Sequence, residues 1–207
     1  MTILEMVQKY YPALWCKEQV DELLTNCKIT VADYLTVFPI SEDNPVTDEM
    51  MNLLRTAKLN ELRNYCNGAI EAGVDVSTSN SGDTTEHFSL DSYDQNNITN
   101  MFYSVMAGVE EYPYHADGKE CTTYSKSDIV AIYVAAQSTI TYHTTYNNML
   151  RVLVNRTTNI NDLAGIVYGM ELPEDLNTLM QSNITAAQAQ IQKILATLSG
   201  GSTEVLD

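Results

Sequence analysis

The chain has 207 residues, 44% of them hydrophobic and only 18% charged, which fits one domain of ordinary size, or one domain with a small N-terminal appendage, and is long enough to bury a real core. The 27 Asp and Glu outnumber the 11 Lys and Arg, for a net charge of −16. That balance excludes a basic footprint for nonspecific nucleic-acid binding and disfavours anionic membrane surfaces.

No apolar run reaches the ~18 residues of a membrane-spanning helix. The first residues, MTILEMVQKYYPALW, lack a basic n-region and a continuous apolar stretch, so no secretion signal is expected. The expectation is a protein made and kept in a cytosol, or released by a route such as lysis. Thr, Asn, Ser, Gln and 13 Tyr carry the polarity, a bias that suits assembly surfaces. Cys16, Cys27, Cys66 and Cys121 lie 11, 39 and 55 residues apart, which matches no zinc spacing and contains no CxxC. They read as reduced, partly buried thiols.

In chain order, Ile3, Leu4 and Val7 predict a short helix ended by Pro12. Residues 17–27 predict a second, with Val20, Leu23 and Leu24 inward. Thr30 predicts the N-cap of a third, with Asp33 in its first turn, stopped by Pro39. The acidic, turn-rich stretch 39–46 is the best candidate boundary. Thr47 then opens a long helix with Met50, Met51, Leu54, Ala57, Leu62, Tyr65, Cys66 and Ile70 on its apolar face, capped by Gly73.

Val74-Asp75-Val76 and residues 87–90 predict a β-hairpin with a long, mobile tip between them. Asp91 or Ser92 predicts the cap of a helix reaching about Gly108, with Ile98, Met101, Phe102, Val105 and Met106 as its buried stripe. Residues 112–115 and 120–124 predict a second small hairpin around the Asp117-Gly118 turn. Ser125 with Asp128 opens the longest helical run, free of Pro and Gly to about Arg156, a rod of roughly 45 Å. Asn161 or Asp162 predicts the cap of a short helix ending near Gly169. The last helix follows Pro173, with a heptad-like seam at Met180, Ile184, Ala187, Ile191, Ile194 and Leu198, and a flexible tail after it.

The expected fold is therefore mainly α: a helical bundle with two small β-hairpins. The expected division is a small helical segment over 1–40, a helical domain with two hairpins over 41–170, and a C-terminal helix and tail over 171–207.

No residues form a catalytic signature. The three histidines, His87, His115 and His143, stand apart from one another and from the cysteines in the sequence, so no metal site and no cofactor is expected. There is no G-x-S-x-G elbow and no phosphate-binding glycine loop. Paired carboxylates such as Glu110-Glu111 and Asp91/Asp94 read as solvated surface. The candidate contact residues are Asp94, Gln95 and Asn97 in an exposed first turn, Tyr112 and Tyr114 on the second hairpin, Tyr142 and Tyr146 four apart on one helix face, and Ile184, Ile191 and Leu198 on the C-terminal seam. That seam packs either on the protein's own long helix or on copies of itself.

From Leu59 onward the elements follow a recognisable order. Gly73-Val74-Asp75-Val76 precedes Asp94-Gln95-Asn96-Asn97-Ile98, then Tyr114-His115-Ala116-Asp117-Gly118, then Tyr124-Ser125 before the long helix. This order resembles a domain family of unknown function in tail-fibre and baseplate-region proteins of tailed bacteriophages. The N-terminal Trp15, Val20, Leu23, Lys28-Ile29-Thr30 and Tyr34 are similar to short phage tail proteins of the XkdX type. The resemblance implies a place, a phage tail assembled in the host cytoplasm, and brings no catalytic residues with it. It implies a structural tail component in a homo-oligomer, in contact with other tail or fibre proteins. A fibre-assembly chaperone is the alternative, and a cell-wall-degrading enzyme is a rival of another class.

Overall fold

The computed structural model describes residues 1–200, among which are eight α-helices and two antiparallel two-stranded sheets. The fold is mainly α, with two small hairpins as expected. The predicted flexible tail falls on residues 201–207, outside the described residues. The chain forms two compact units, one of Met1–Cys66 with Asn147–Pro173, the other of Asn67–Tyr146 with the C-terminal helix.

The first unit opens with three short helices, α1 (Ile3–Tyr10), α2 (Lys17–Thr25) and α3 (Val31–Val37). Two of them start in reciprocal capping boxes. The Thr2 hydroxyl accepts from the Glu5 N–H while the Glu5 carboxylate accepts from Thr2, and Thr30 and Asp33 repeat the arrangement. At the end of α2 the Cys27 N–H reaches Leu24 and the Lys28 N–H reaches Leu23, the paired bonds that close a helix through a left-handed residue. That residue is Cys27, at φ 54°. Tyr34 is fully buried and donates to Asp21 at 2.6 Å, which also pairs with Lys17 at 2.8 Å. Burial and the Asp21 carboxylate push the Tyr34 phenol up to about 12.

Thr47 caps α4 (Asp48–Glu71) by accepting from the Met50 N–H. On α4, Lys58 is only 1% exposed. Its ammonium lies 3.0 Å from Glu61 and also donates to the Ala164 carbonyl, while Arg55 donates to the Thr157 carbonyl. A buried charge needs such partners, and these bonds fasten α4 to the segment around α7 (Ile160–Gly165). The expected caps Asn161 and Asp162 prove to be first-turn residues of α7. The side-chain oxygen of Asn159 accepts from both of their N–H groups, so the helix begins earlier and ends at Gly165 rather than near Gly169.

In the second unit, β1 (Val74–Val76) pairs with β2 (Glu86–Phe88), and β3 (Glu111–Tyr114) with β4 (Thr122–Ser125). Between the hairpins runs α5 (Ser92–Met106), capped by Asp91. After them come α6 (Lys126–Arg156), which passes into the first unit at Asn147, and α8 (Glu174–Gly200). Phe88, Leu90, Ile98, Met101, Phe102, Val105, Tyr124, Ile129 and Ile132 build its core, with Phe102 stacked on Tyr133 at 3.8 Å. Residues 129–141 of α6 are buried or half-buried on every side, as their lack of charge allows.

Three further details differ from the expectations above. Met106 is exposed, because one step beyond Val105 turns it about 100° off the buried stripe. On α8 the half-buried positions run Ile184, Ala187, Ile191, Leu195, Leu198, with Leu195 in the place predicted for Ile194. A straight helix drifts about 20° per heptad, which brings the next residue round to the covered side. The loop between β1 and β2, expected to be a mobile tip, is anchored, with Thr78 and Ser81 buried.

Gly73 and Gly118 both have positive φ, 81° and 70°. A Cβ on Gly73 meets the Phe88 carbonyl oxygen and lies 2.9 Å from His87 Nε2, whereas a Cβ on Gly118 meets open space. Gly118→Ala should therefore cost only the backbone strain, about 1 kcal/mol, and Gly73→Ala roughly 2–4 kcal/mol because the strand must also shift. Urea denaturation of the two variants checks the order, and equal losses would contradict the close approach at Gly73.

Candidate functional site

The densest polar geometry lies where the two hairpins meet the starts of α5 and α6. In β1–β2 the register sets Val76 opposite Glu86, Asp75 opposite His87 and Val74 opposite Phe88. Strand alternation sends Glu86 and Phe88 to the same inward face. Glu86 is thus carried inside and is 2% exposed.

Its carboxylate is met by donors from three segments. The Thr78 hydroxyl makes a very short bond, Tyr124 Oη donates at 3.2 Å and Lys119 Nζ at 3.2 Å. Burial would raise the Glu86 pKa, but these donors outweigh it and hold the carboxyl below its ordinary value. Tyr124 is affected in the opposite sense. Burial and the Glu86 charge push its phenol up to about 12.

Asp128 repeats the principle. It caps α6 from the third helical position, accepting from the Ser125 N–H at 3.0 Å and from the Ser125 hydroxyl at 2.6 Å. It also accepts from Ser79, from the N–H at 2.8 Å and the hydroxyl at 2.6 Å. Burial opposes its ionisation, and the serine donors prevail and lower its pKa. Asn80 donates to the Thr123 carbonyl at 3.1 Å, a second tie from the loop, here to β4.

Asp94 accepts from the Ser89 hydroxyl at 2.6 Å and from Tyr114 Oη at 3.1 Å. Burial and the Asp94 charge raise the Tyr114 pKa. Asp117 receives the Ser89 N–H through its carboxylate and donates its own N–H to the His87 carbonyl at 2.9 Å. On the outer face His87 Nδ1 lies 2.9 Å from Asp75 and Nε2 lies 3.9 Å from Asp117.

Glu86 and Asp128 are held ionised by hydroxyl, amide and ammonium donors, which is the opposite of the raised pKa a general acid needs. Among the described residues no group of three or more His, Cys, Asp or Glu side chains is placed to hold a metal ion. Cys16, Cys27, Cys66 and Cys121 form no disulfide.

The contact residues named from the sequence fall in three places. Asp94, Gln95 and Tyr114 are half-buried and committed to internal bonds, with the Gln95 amide on the Leu90 carbonyl at 2.7 Å. The first turn of α5, Ser92–Gln95, is thus exposed only at Ser92 and Tyr93, and Asn97 is exposed in the turn that follows. Tyr112 is half-buried on β3. Tyr142 and Tyr146 stack at 6.3 Å on α6, and burial separates them, Tyr142 at 48% exposed and Tyr146 at 6%. Ile184, Ile191 and Leu198 share the half-buried stripe of α8.

Sequence reading missed Glu86, Thr78 and Ser79. Phe88 is inward and Glu86 lies two residues before it, so alternation over 86–88 is the signal that could have found Glu86; the predicted strand begins one residue late, at His87. No family model matches this chain, and neither does any curated protein or solved structure.

Because the folded pKa values of Glu86 and Asp128 are depressed, their contribution to stability is present above the ordinary carboxylate range and lost as pH falls through the folded values. Thermal melting should be level near neutrality and fall steeply below about pH 4.5. Glu86→Gln should lower stability at pH 7 by roughly 1–3 kcal/mol and flatten the acid slope. A melting temperature in Glu86→Gln with the parent's full acid slope would show that Glu86 is not its source.

Proposed function

We propose that this chain is a structural component of a phage tail, in the baseplate or tail-fibre region, that attaches one subunit to another. The order of hairpins, caps and helices from Leu59 onward supports the place. The observation that carries the attachment role is the outer face of α5. Tyr93 is 79% and Tyr103 63% exposed, and Asn96, Asn97 and Asn100 fill the turns between them. This face spans about 15 Å along the helix axis.

Large tyrosines standing in water serve the fold little, whereas tyrosine and asparagine are residues that make protein contacts at low entropic cost. The inner face of the same helix is locked into the core by Ile98, Met101, Phe102 and Val105. The outer face is therefore presented on a rigid support, which reduces the ordering cost of binding.

Mass spectrometry of purified particles should find the protein in stoichiometric amounts with the other tail proteins. Its absence from mature particles, with capture of a fibre protein from the lysate, would point to the assembly chaperone instead. The double variant Tyr93→Ala/Tyr103→Ala should keep its stability within about 0.5 kcal/mol of the parent, since both rings are exposed, yet incorporate poorly into particles. Normal incorporation would remove α5 from the attachment surface.

A further inference from the structure

A groove of about 730 Å³ opens between the end of α8, the start of α6 and the base of the β3–β4 hairpin. Its volume is within the range that accommodates several side chains of a bound molecule. Val130, Leu195 and Leu198 form its apolar floor, and all three are only half-buried. Glu110, Glu111, Ser125, Lys126 and Ser127 form its rim.

Charge is divided unequally across this groove. On the hairpin side, residues 110–128 carry five acidic side chains and two lysines. Lys126, the cation among the lining residues, already lies 3.2 Å from Glu110. Among the described residues the Glu111 carboxylate on the rim has no ion pair. On the other side, residues 176–200 of α8 carry a single charge, Lys193.

We infer that the groove receives a basic amphipathic segment of a partner protein, with its apolar side chains on Val130, Leu195 and Leu198 and its Lys or Arg flank against Glu110 and Glu111. The inference rests on the attachment role proposed above and specifies the chemistry of the partner. A second copy of this chain fits less well, because it brings another −16 of charge and its own α8 offers the glutamates a single cation, Lys193. An acidic segment is repelled by the same rim.

The test uses the full chain and fluorescence anisotropy with a labelled Leu/Lys peptide about four helical turns long, its leucines on one face. A second peptide has the same composition with the leucines spread around the helix. The amphipathic peptide should bind at least about tenfold more tightly than the reordered one, a difference of ~1.4 kcal/mol. Leu195→Ser should abolish that preference. Glu111→Lys, at an exposed position where folding is not at risk, should weaken binding several-fold and reduce its salt dependence.

Equal binding of the two peptides would overturn the proposal, since it would reflect the net charge alone. Unchanged binding by both variants would also overturn it. So would a concentration-dependent dimer of the parent chain that Leu195→Ser dissolves, since the occupant would then be a second copy. Particle composition does not enter this experiment, so it fails or succeeds independently of the tail assignment.

Discussion

A carboxylate carried into a protein interior must find hydrogen-bond donors there, and the second unit is organised around that requirement at Glu86. Strand alternation leaves Glu86 no route to water once Phe88 is in the core. Thr78, Lys119 and Tyr124 then converge on it from the β1–β2 loop, the β3–β4 turn and β4. An unpartnered carboxylate at this depth would cost several kcal/mol, so the two hairpins have to close together. Asp128 extends the same logic to the start of α6 and Asp94 to α5.

This use of acidic side chains helps to explain the unusual charge balance. Part of the surplus is structural, spent on hydroxyl and amide donors and not balanced by lysine or arginine. Ser and Thr therefore matter to this region as much as the apolar residues do. They supply donors that carry no charge of their own, and their bonds to an ionised carboxylate are stronger than those to its protonated form. A region built this way is firm near neutral pH and vulnerable to acid.

The remaining charge is segregated. No Asp, Glu, Lys or Arg occurs between Ile129 and Leu150, and Lys193 is the single charge of α8 beyond Asp175. The acidic groups concentrate on the hairpins and the first unit. An uncharged helical surface beside an acidic hairpin end gives the second unit two kinds of contact chemistry. Tyr93 and Tyr103 add an aromatic face on α5, supported from below by its core residues. The Tyr65–Tyr168 stack in the first unit is a further aromatic feature, formed between residues far apart in the chain.

The sequence by itself determined which segments are helical, because local signals decide helix starts. Thr2, Thr30, Thr47, Asp91 and Ser125 each cap a helix through neighbours no more than three residues away, and the Asp117-Gly118 turn is equally local. It also marked both hairpins and the inward stripe of α5 up to Val105. Only the tertiary structure decided where the polar network lies. Glu86 meets Lys119 and Tyr124 across 33 and 38 residues, and Ser79 meets Asp128 across 49. Periodicity cannot report those encounters, since a Glu in a polar stretch looks solvated until packing removes the water. The same limit hid the bond of Asp94 to Tyr114, whereas Leu195 takes the place of Ile194 because a straight helix drifts against the heptad. At Asp94, as at Glu86, a neighbour distant in sequence, and not the local pattern, determined that the side chain turns inward.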